Sequence, residues 1–130
     1  MAREIKFRAW DKEIKEWLWI TGFETKETAK NSGYSLDGIF NDGDYVWNEG
    51  IELMQYTGFK DKNGTEIYEG NIVKRVSMAP GGIDFIGVVA YGECCFWIED
   101  GKDAVSLYSE VDELEILGNI YENPELLEEV

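Results

Sequence analysis

The chain has 130 residues, 44% hydrophobic and 14% aromatic, and its 27 acidic against 12 basic side chains give a formal charge of −15. This hydrophobic fraction excludes a disordered acidic chain, and the length fits one domain. No apolar run approaches the roughly 18 residues of a membrane span, and no signal-peptide core follows Met1, so we expect a soluble, cytoplasmic protein.

Short runs rich in Ile, Val, Tyr, Phe and Trp, with fourteen glycines and two prolines, predict a mainly β protein with tight turns. Residues 4–10 and 16–20 alternate in polarity and predict a β-hairpin. Residues 24–32 have a single apolar side chain and no periodicity, which predicts a loop. A strand over 34–40, a turn over 41–44 and a more regular strand over 51–57 follow.

The second half predicts a meander of short strands. Lys60-Asp61-Lys62-Asn63-Gly64 predicts a tight turn, because Asn-Gly supplies the positive φ angles that such a turn requires. Five strands follow at hairpin spacing, over residues 69–76, 86–91, 94–99, 104–108 and 114–120, and this pattern resembles an SH3-like barrel. Residues 123–127, Asn-Pro-Glu-Leu-Leu, predict one short terminal helix.

The predicted fold is therefore mainly β, with an N-terminal β-hairpin and sheet region packed with a C-terminal SH3-like small barrel and a short C-terminal helix. We expect a single domain over residues 1–130. Its predicted subregions are an N-terminal β region over 1–60 and the barrel over 65–130.

Enzyme chemistry has little support in the composition. The sequence has no histidine, so the commonest general base near neutral pH is missing and Ser-His-Asp and Cys-His arrangements are excluded. The two cysteines, Cys94 and Cys95, are adjacent, which on a strand points them to opposite faces, so we interpret them as packing residues in a reducing compartment. We expect no catalytic residue and no cofactor.

Two turns rich in Asp, Asn and Gly are candidate calcium sites by composition. An EF-hand loop needs acidic first, third and fifth positions when its glycine stands sixth. Counting back from Gly43 puts Gly38 and Phe40 at two of these positions, and counting back from Gly64 puts Phe59 at the first. Both are therefore interpreted as ordinary turns, and no metal site is predicted. A metal-dependent hydrolase built on paired carboxylates stays as the less favoured alternative.

The acidic charge is concentrated in two parts of the chain. Residues 31–56 hold five acids and residues 103–130 hold nine, and neither stretch holds a base. Such a field repels nucleic acid and anionic membrane and favours a cationic partner. The predicted acidic surface consists of Glu110, Asp112, Glu113 and Glu115.

One stretch combines aromatic and basic side chains. Its candidate binding surface consists of Arg8, Trp10, Lys15 and Trp17. Single-stranded nucleic-acid platforms use this composition for stacking and phosphate contact, provided that both indoles are exposed beside the two bases. The favoured interpretation is that one aromatic face packs in a core or subunit interface. A nucleic-acid accessory protein stays as the alternative.

Four segments of the chain together resemble a known family. They span residues 5–11, 54–64, 67–73 and 117–126, and in this order and spacing they resemble the YopX family of phage and prophage proteins. Asn71 stands where the family often has Asp, which weakens any catalytic role for that position. The resemblance implies a small, mostly β protein of a mobile element, with no established activity and no catalytic residue to carry over.

Together these features predict a non-enzymatic, phage-derived interaction protein that acts through protein–protein contacts. We expect a homo-oligomer, because self-association covers the exposed edges of short sheets. A basic host or phage protein is the expected further partner, and neither nucleic acid nor membrane is expected.

Overall fold

The structure, a computed structural model, describes residues 4–27, 34–108 and 112–128. In these ranges the chain is mainly β, as predicted. The elements are β1 (Phe7–Asp11), β2 (Glu16–Leu18), β3 (Ile20–Glu27), β4 (Tyr34–Asn41), β5 (Asp44–Trp47), a 3₁₀ turn (Asn48–Gly50), β6 (Ile51–Lys60), β7 (Glu66–Tyr68), β8 (Asn71–Val76), β9 (Phe85–Gly92), β10 (Cys95–Glu99), β11 (Ala104–Ser106), β12 (Glu113–Asn119) and α1 (Glu125–Glu128). Within the described ranges, no helix has the length and apolar character needed to cross a membrane.

The chain divides into two compact units. Unit 1 contains Met1–Ile5 and Gln55–Val130, and unit 2 contains Lys6–Met54. The boundary lies inside β6, whereas the predicted subregions were separated at residues 60–65. The reason is that the second half of β6 pairs with β7, with Tyr56 opposite Tyr68 and Lys60 opposite Glu66.

Unit 2 contains the predicted N-terminal hairpin and a three-stranded antiparallel sheet of order β3-β4-β5. Its core is formed by Ala9, Ile39 and Ile51, against which Leu18, Ile20, Val46 and Leu53 pack. The prediction of a loop over residues 24–32 is wrong for residues 24–27, which belong to β3. Pairing with β4, rather than any period in the side chains, holds this polar segment in an extended conformation.

Unit 1 contains a five-stranded antiparallel sheet of order β11-β10-β9-β8-β12, curled into a half-barrel. Three strands form a meander after β8, and the last strand returns to pair with β8, which confirms the SH3-like arrangement. The core side chains are at most 1% exposed. Burying each of them stabilises the folded state by about 1.5–3 kcal/mol relative to leaving it in water. They are Ile67, Val73, Val89, Ile98 and Leu107.

The backbone of β10 comes very close to Gly87 of β9. A Cβ atom at this position would stand 2.5 Å from the carbonyl oxygen of Glu99 and 2.7 Å from its carbonyl carbon. Atoms of the backbone cannot swing aside as the end of a side chain can. Only a residue without a side chain therefore allows this approach of the two strands.

The turn between β9 and β10 has only two residues, Glu93 and Cys94, with φ angles of 49° and 69°. Two positive φ angles define a type I′ turn, in which Asn-Gly is the favoured pair. Cys94 and Cys95 are both exposed, so their interpretation as packing residues is wrong. The reason is their position at the end of a hairpin, where Cys94 lies in the turn and Cys95 is the first residue of β10.

We expect Cys94→Gly to raise the free energy of unfolding by about 0.5–1 kcal/mol, because glycine adopts a positive φ without steric cost. Urea denaturation measures the change. Cys95→Gly is the matched control, since Cys95 begins β10 and a glycine inside a strand is destabilising by about 0.5–1 kcal/mol. Destabilisation by both variants would contradict the strain assigned to Cys94.

Candidate functional site

The β6–β7 turn, within the second resembling segment, is organised by Asp61, which is only 8% exposed. Its Oδ1 accepts hydrogen bonds from the backbone N–H groups of Asn63 at 2.9 Å and Thr65 at 3.0 Å. Its Oδ2 accepts one from the N–H of Ile116 in β12 at 3.2 Å. Burial raises the pKa of this carboxyl, but the three backbone donors together outweigh it and hold the pKa below 3.8. The carboxylate thus ties the turn to β12.

Two buried asparagines hold the other resembling segments of unit 1. The side chain of Asn71 accepts a hydrogen bond from the N–H of Tyr68 at 2.7 Å and donates one to the carbonyl of Gly118 at 3.1 Å. An ionised aspartate cannot donate the second bond, so the amide suits this position. Asn119 accepts hydrogen bonds from the backbone N–H groups of Tyr121 and Glu122. These side chains therefore bind the backbone of their own fold.

The predicted aromatic and basic surface lies on the β1–β2 hairpin. Trp10 is opposite Trp17, and their rings meet edge to face with centroids 5.0 Å apart. The guanidinium carbon of Arg8 lies 4.4 Å from the centroid of the Trp17 ring, and Lys15 is exposed in the turn. Trp10 is only 7% exposed, and Trp17 is half-buried beneath Arg8. The pair therefore lacks the two exposed indoles that a base-stacking platform requires.

The predicted acidic surface is partly neutralised. Asp112 pairs with Arg75, whose Nε lies 3.0 Å from Oδ2, and Glu115 pairs with Lys62 at 2.8 Å. The pKa of Lys62 is raised, mainly by its hydrogen bond to Glu115 and secondly by the charge attraction between the two side chains. Glu113 is exposed, and Glu110 lies outside the described residues. The structure brings three of the four acids together and places a base against two of them.

An exposed aromatic pair on unit 2 was missed by the sequence prediction. Phe7 of β1 and Phe23 of β3 meet edge to face at 5.7 Å while staying 36% and 45% exposed. Trp19, between β2 and β3, is 74% exposed. The alternation of β1 placed Phe7 on the same face as Ala9, but no sequence signal joins it to a ring sixteen positions away.

The two units differ in net charge. Unit 1 has 6 basic and 17 acidic side chains, a net of −11, and unit 2 has 6 and 10, a net of −4. In the part of the chain that the structure describes, no three Cys, Asp or Glu side chains are placed to hold a metal ion.

Comparison with known proteins covers almost the whole chain. The family model described as YopX protein matches residues 6–128. Protein EF1440 from Enterococcus faecalis is similar with 30% identity and a TM-score of 0.60, over 97% of this chain and 99% of that one. Protein yopX from Bacillus subtilis is similar with 23% identity and a TM-score of 0.59, over 95% and 96% of the two chains. Among curated proteins, none matches.

Proposed function

Because the chain belongs to the YopX protein family, we propose that it is a non-enzymatic interaction protein, encoded by a phage or prophage, that acts through protein–protein contacts. The use of Asp61, Asn71 and Asn119 as backbone anchors supports this proposal. Because these three side chains hydrogen-bond to the backbone of the fold, the segments that resemble the family have few polar groups available to act on a substrate. Phage or prophage genes flanking the coding sequence would support the origin, and a purely host operon would contradict it.

The first partner in this proposal is a second copy of the chain. The observation that carries it is the exposed pair of Phe7 and Phe23 on unit 2. Aromatic side chains are enriched at the centres of protein interfaces, where their large apolar area is removed from water. Unit 2 also carries only −4 of the total charge of −15, so the repulsion between two copies is weakest there.

Sedimentation equilibrium tests this self-association. We expect the wild-type protein to have a mass that is a multiple of 14.9 kDa at micromolar concentration, and added salt to strengthen the association by screening charge. Phe23→Thr keeps strand propensity and removes one ring, and we expect it to weaken association about tenfold.

Ile83→Thr is the matched control, because it also replaces an exposed apolar side chain with threonine. Ile83 is 91% exposed and lies in unit 1, outside the pair of Phe7 and Phe23. It should leave the association constant unchanged. A wild-type mass of 14.9 kDa at every concentration, or equal weakening by the two variants, would refute self-association through this pair.

A further inference from the structure

A second surface of unit 1 lies on the side of β10 that faces away from the core. Ile98 is fully buried and Phe96 packs against the core, whereas the intervening Trp97 and the final Glu99 point to the opposite face, as the alternation of a strand requires. Trp97 is opposite Ala90 of β9 and Ser106 of β11. A groove of about 320 Å³ opens on this face, lined by Gly92, Glu93, Trp97, Glu99 and Ala104. We call it the Trp97 groove.

The indole that forms part of this groove is held in one orientation. Its Nε1–H donates a hydrogen bond of 2.7 Å to the carbonyl of Gly92, and the ring is half-buried. Gly92 and Ala104 are the smallest members of the lining, so the ring of Trp97 is the largest apolar surface that a ligand would meet there. Tryptophan is the best aromatic partner for a cation placed over its ring.

The charges around the ring favour a cation. Glu93 and Glu99 are both exposed and both line the groove. Between residues 76 and 108 the sequence holds five acids and a single base, Lys102. Unit 1 as a whole carries −11. A planar guanidinium suits this arrangement better than an ammonium, because it stacks on an indole while its N–H groups reach carboxylates at its edge.

The groove also lies beside a sheet edge. Ala104 belongs to β11, which is the last strand on its side of the five-stranded sheet, and within the described ranges no strand pairs with its outer side. At the far end of this strand the carbonyl of Ser106 accepts a hydrogen bond of 3.0 Å from Nη1 of Arg75, so a partner segment would pair at the Ala104 end. An edge strand offers backbone N–H and C=O groups to an extended segment of another chain, and such pairing places alternate side chains of that segment on one face.

We propose that the Trp97 groove binds an arginine side chain of an extended basic segment in a partner protein, with the backbone of that segment paired with the Ala104 end of β11. This inference rests on the proposed role in protein–protein contacts and specifies the basic partner. The guanidinium lies over Trp97 with its N–H groups directed to Glu93 and Glu99.

The test uses the full chain and a labelled extended peptide with one central arginine flanked by threonine and valine. Fluorescence anisotropy gives the affinity, and the indole N–H resonance of Trp97 reports occupation of the groove. We expect binding that shifts this resonance, weakens with salt, and falls about tenfold in the double variant Glu93→Gln with Glu99→Gln. Both substitutions lie on exposed side chains, so the fold is retained.

Glu113→Gln is the control for charge, since it removes an exposed acid from β12 at the opposite edge of the same sheet. It should leave the affinity unchanged. A peptide with lysine in place of arginine should bind more weakly. Equal loss of affinity in Glu113→Gln and in the double groove variant would show only general attraction to a negative protein and would overturn the proposal. An unshifted indole resonance would overturn it as well.

The same samples separate this inference from the proposed function. Self-association is measured by sedimentation and does not involve Glu93 or Glu99. If the protein self-associates but does not bind the peptide, the Trp97 groove is refuted and the interaction role stands. If it is monomeric and binds the peptide through the groove, the self-association is refuted instead.

Discussion

Replacing Asp61 with alanine is expected to lower the free energy of unfolding by about 3–5 kcal/mol at neutral pH. The carboxylate is nearly buried and accepts three backbone hydrogen bonds, and hydrogen bonds to a charged group contribute about 1.5–3 kcal/mol each. Removing it leaves the N–H groups of Asn63, Thr65 and Ile116 without this acceptor. It also removes one of the bonds between the β6–β7 turn and β12, while the backbone bond from the N–H of Lys62 to the carbonyl of Leu114 remains. Urea denaturation followed by circular dichroism measures the loss.

The effect of this substitution depends on pH in a defined direction. The pKa of Asp61 is lower in the folded protein than its ordinary value of 3.8, so its contribution is fully present above pH 3.8 and is lost as the pH falls through the lower, folded value. The difference in stability between wild type and Asp61→Ala should therefore shrink below about pH 4. A difference that stays constant to the acid limit would contradict the assigned charge.

Asp100 offers a matched control in a similar turn. Its Oδ1 accepts hydrogen bonds from the backbone N–H groups of Lys102 and Asp103, and these bonds lower its pKa. Unlike Asp61, it is exposed, so water replaces the lost acceptor. We expect a much smaller loss of stability in Asp100→Ala. Equal losses in the two variants would mean that burial and the bond to β12 add nothing at Asp61.

Gly87→Ala is the second substitution for which a large effect is expected, a loss of about 2–3 kcal/mol. The added methyl group would stand 2.5 Å from the carbonyl oxygen of Glu99, so β9 and β10 must separate to admit it. Thermal and urea denaturation both measure the loss.

Gly92→Ala is the control on the same strand. A Cβ atom at Gly92 would meet nothing within 4 Å, and we expect a change within about 0.5 kcal/mol. Loss of stability in Gly92→Ala as large as in Gly87→Ala would show that strand conformation, and not the approach of Glu99, sets the need for glycine.

Local patterns in the sequence were sufficient for the elements of unit 1. The Asn63-Gly64 turn is present, with Gly64 at a φ of 84°, and the five predicted barrel strands correspond to β8 through β12. These features depend on backbone preferences and on spacing between turns, both of which a single sequence records. The short helix was predicted from its cap and proline for the same reason.

Features that depend on distant pairing could not be predicted in this way. Alternation of polarity assigns the residues of β1 to two faces but does not predict that both faces are buried. In the structure Ala9 on one face is 0% exposed and Trp10 on the other is 7% exposed. The pairing of Arg75 with Asp112 joins residues 37 positions apart, and it turns a predicted acidic surface into a partly neutral one. The Trp97 groove likewise depends on the β9–β10 hairpin. The hairpin places Glu93 of the turn at the same face of the sheet as Trp97 and Glu99.

The order of the two units along the chain has a consequence for biosynthesis. Unit 2 is one continuous stretch, whereas unit 1 takes residues from both sides of it, and β8 acquires its neighbour β12 only after most of the chain has left the ribosome. Since domains fold as units during synthesis, starting from the N-terminus, unit 2 is free to fold while unit 1 is still being translated. Ribosome-stalled chains just long enough for all of residues 6–54 to have left the exit tunnel would then resist proteolysis within this stretch before the barrel strands are protected.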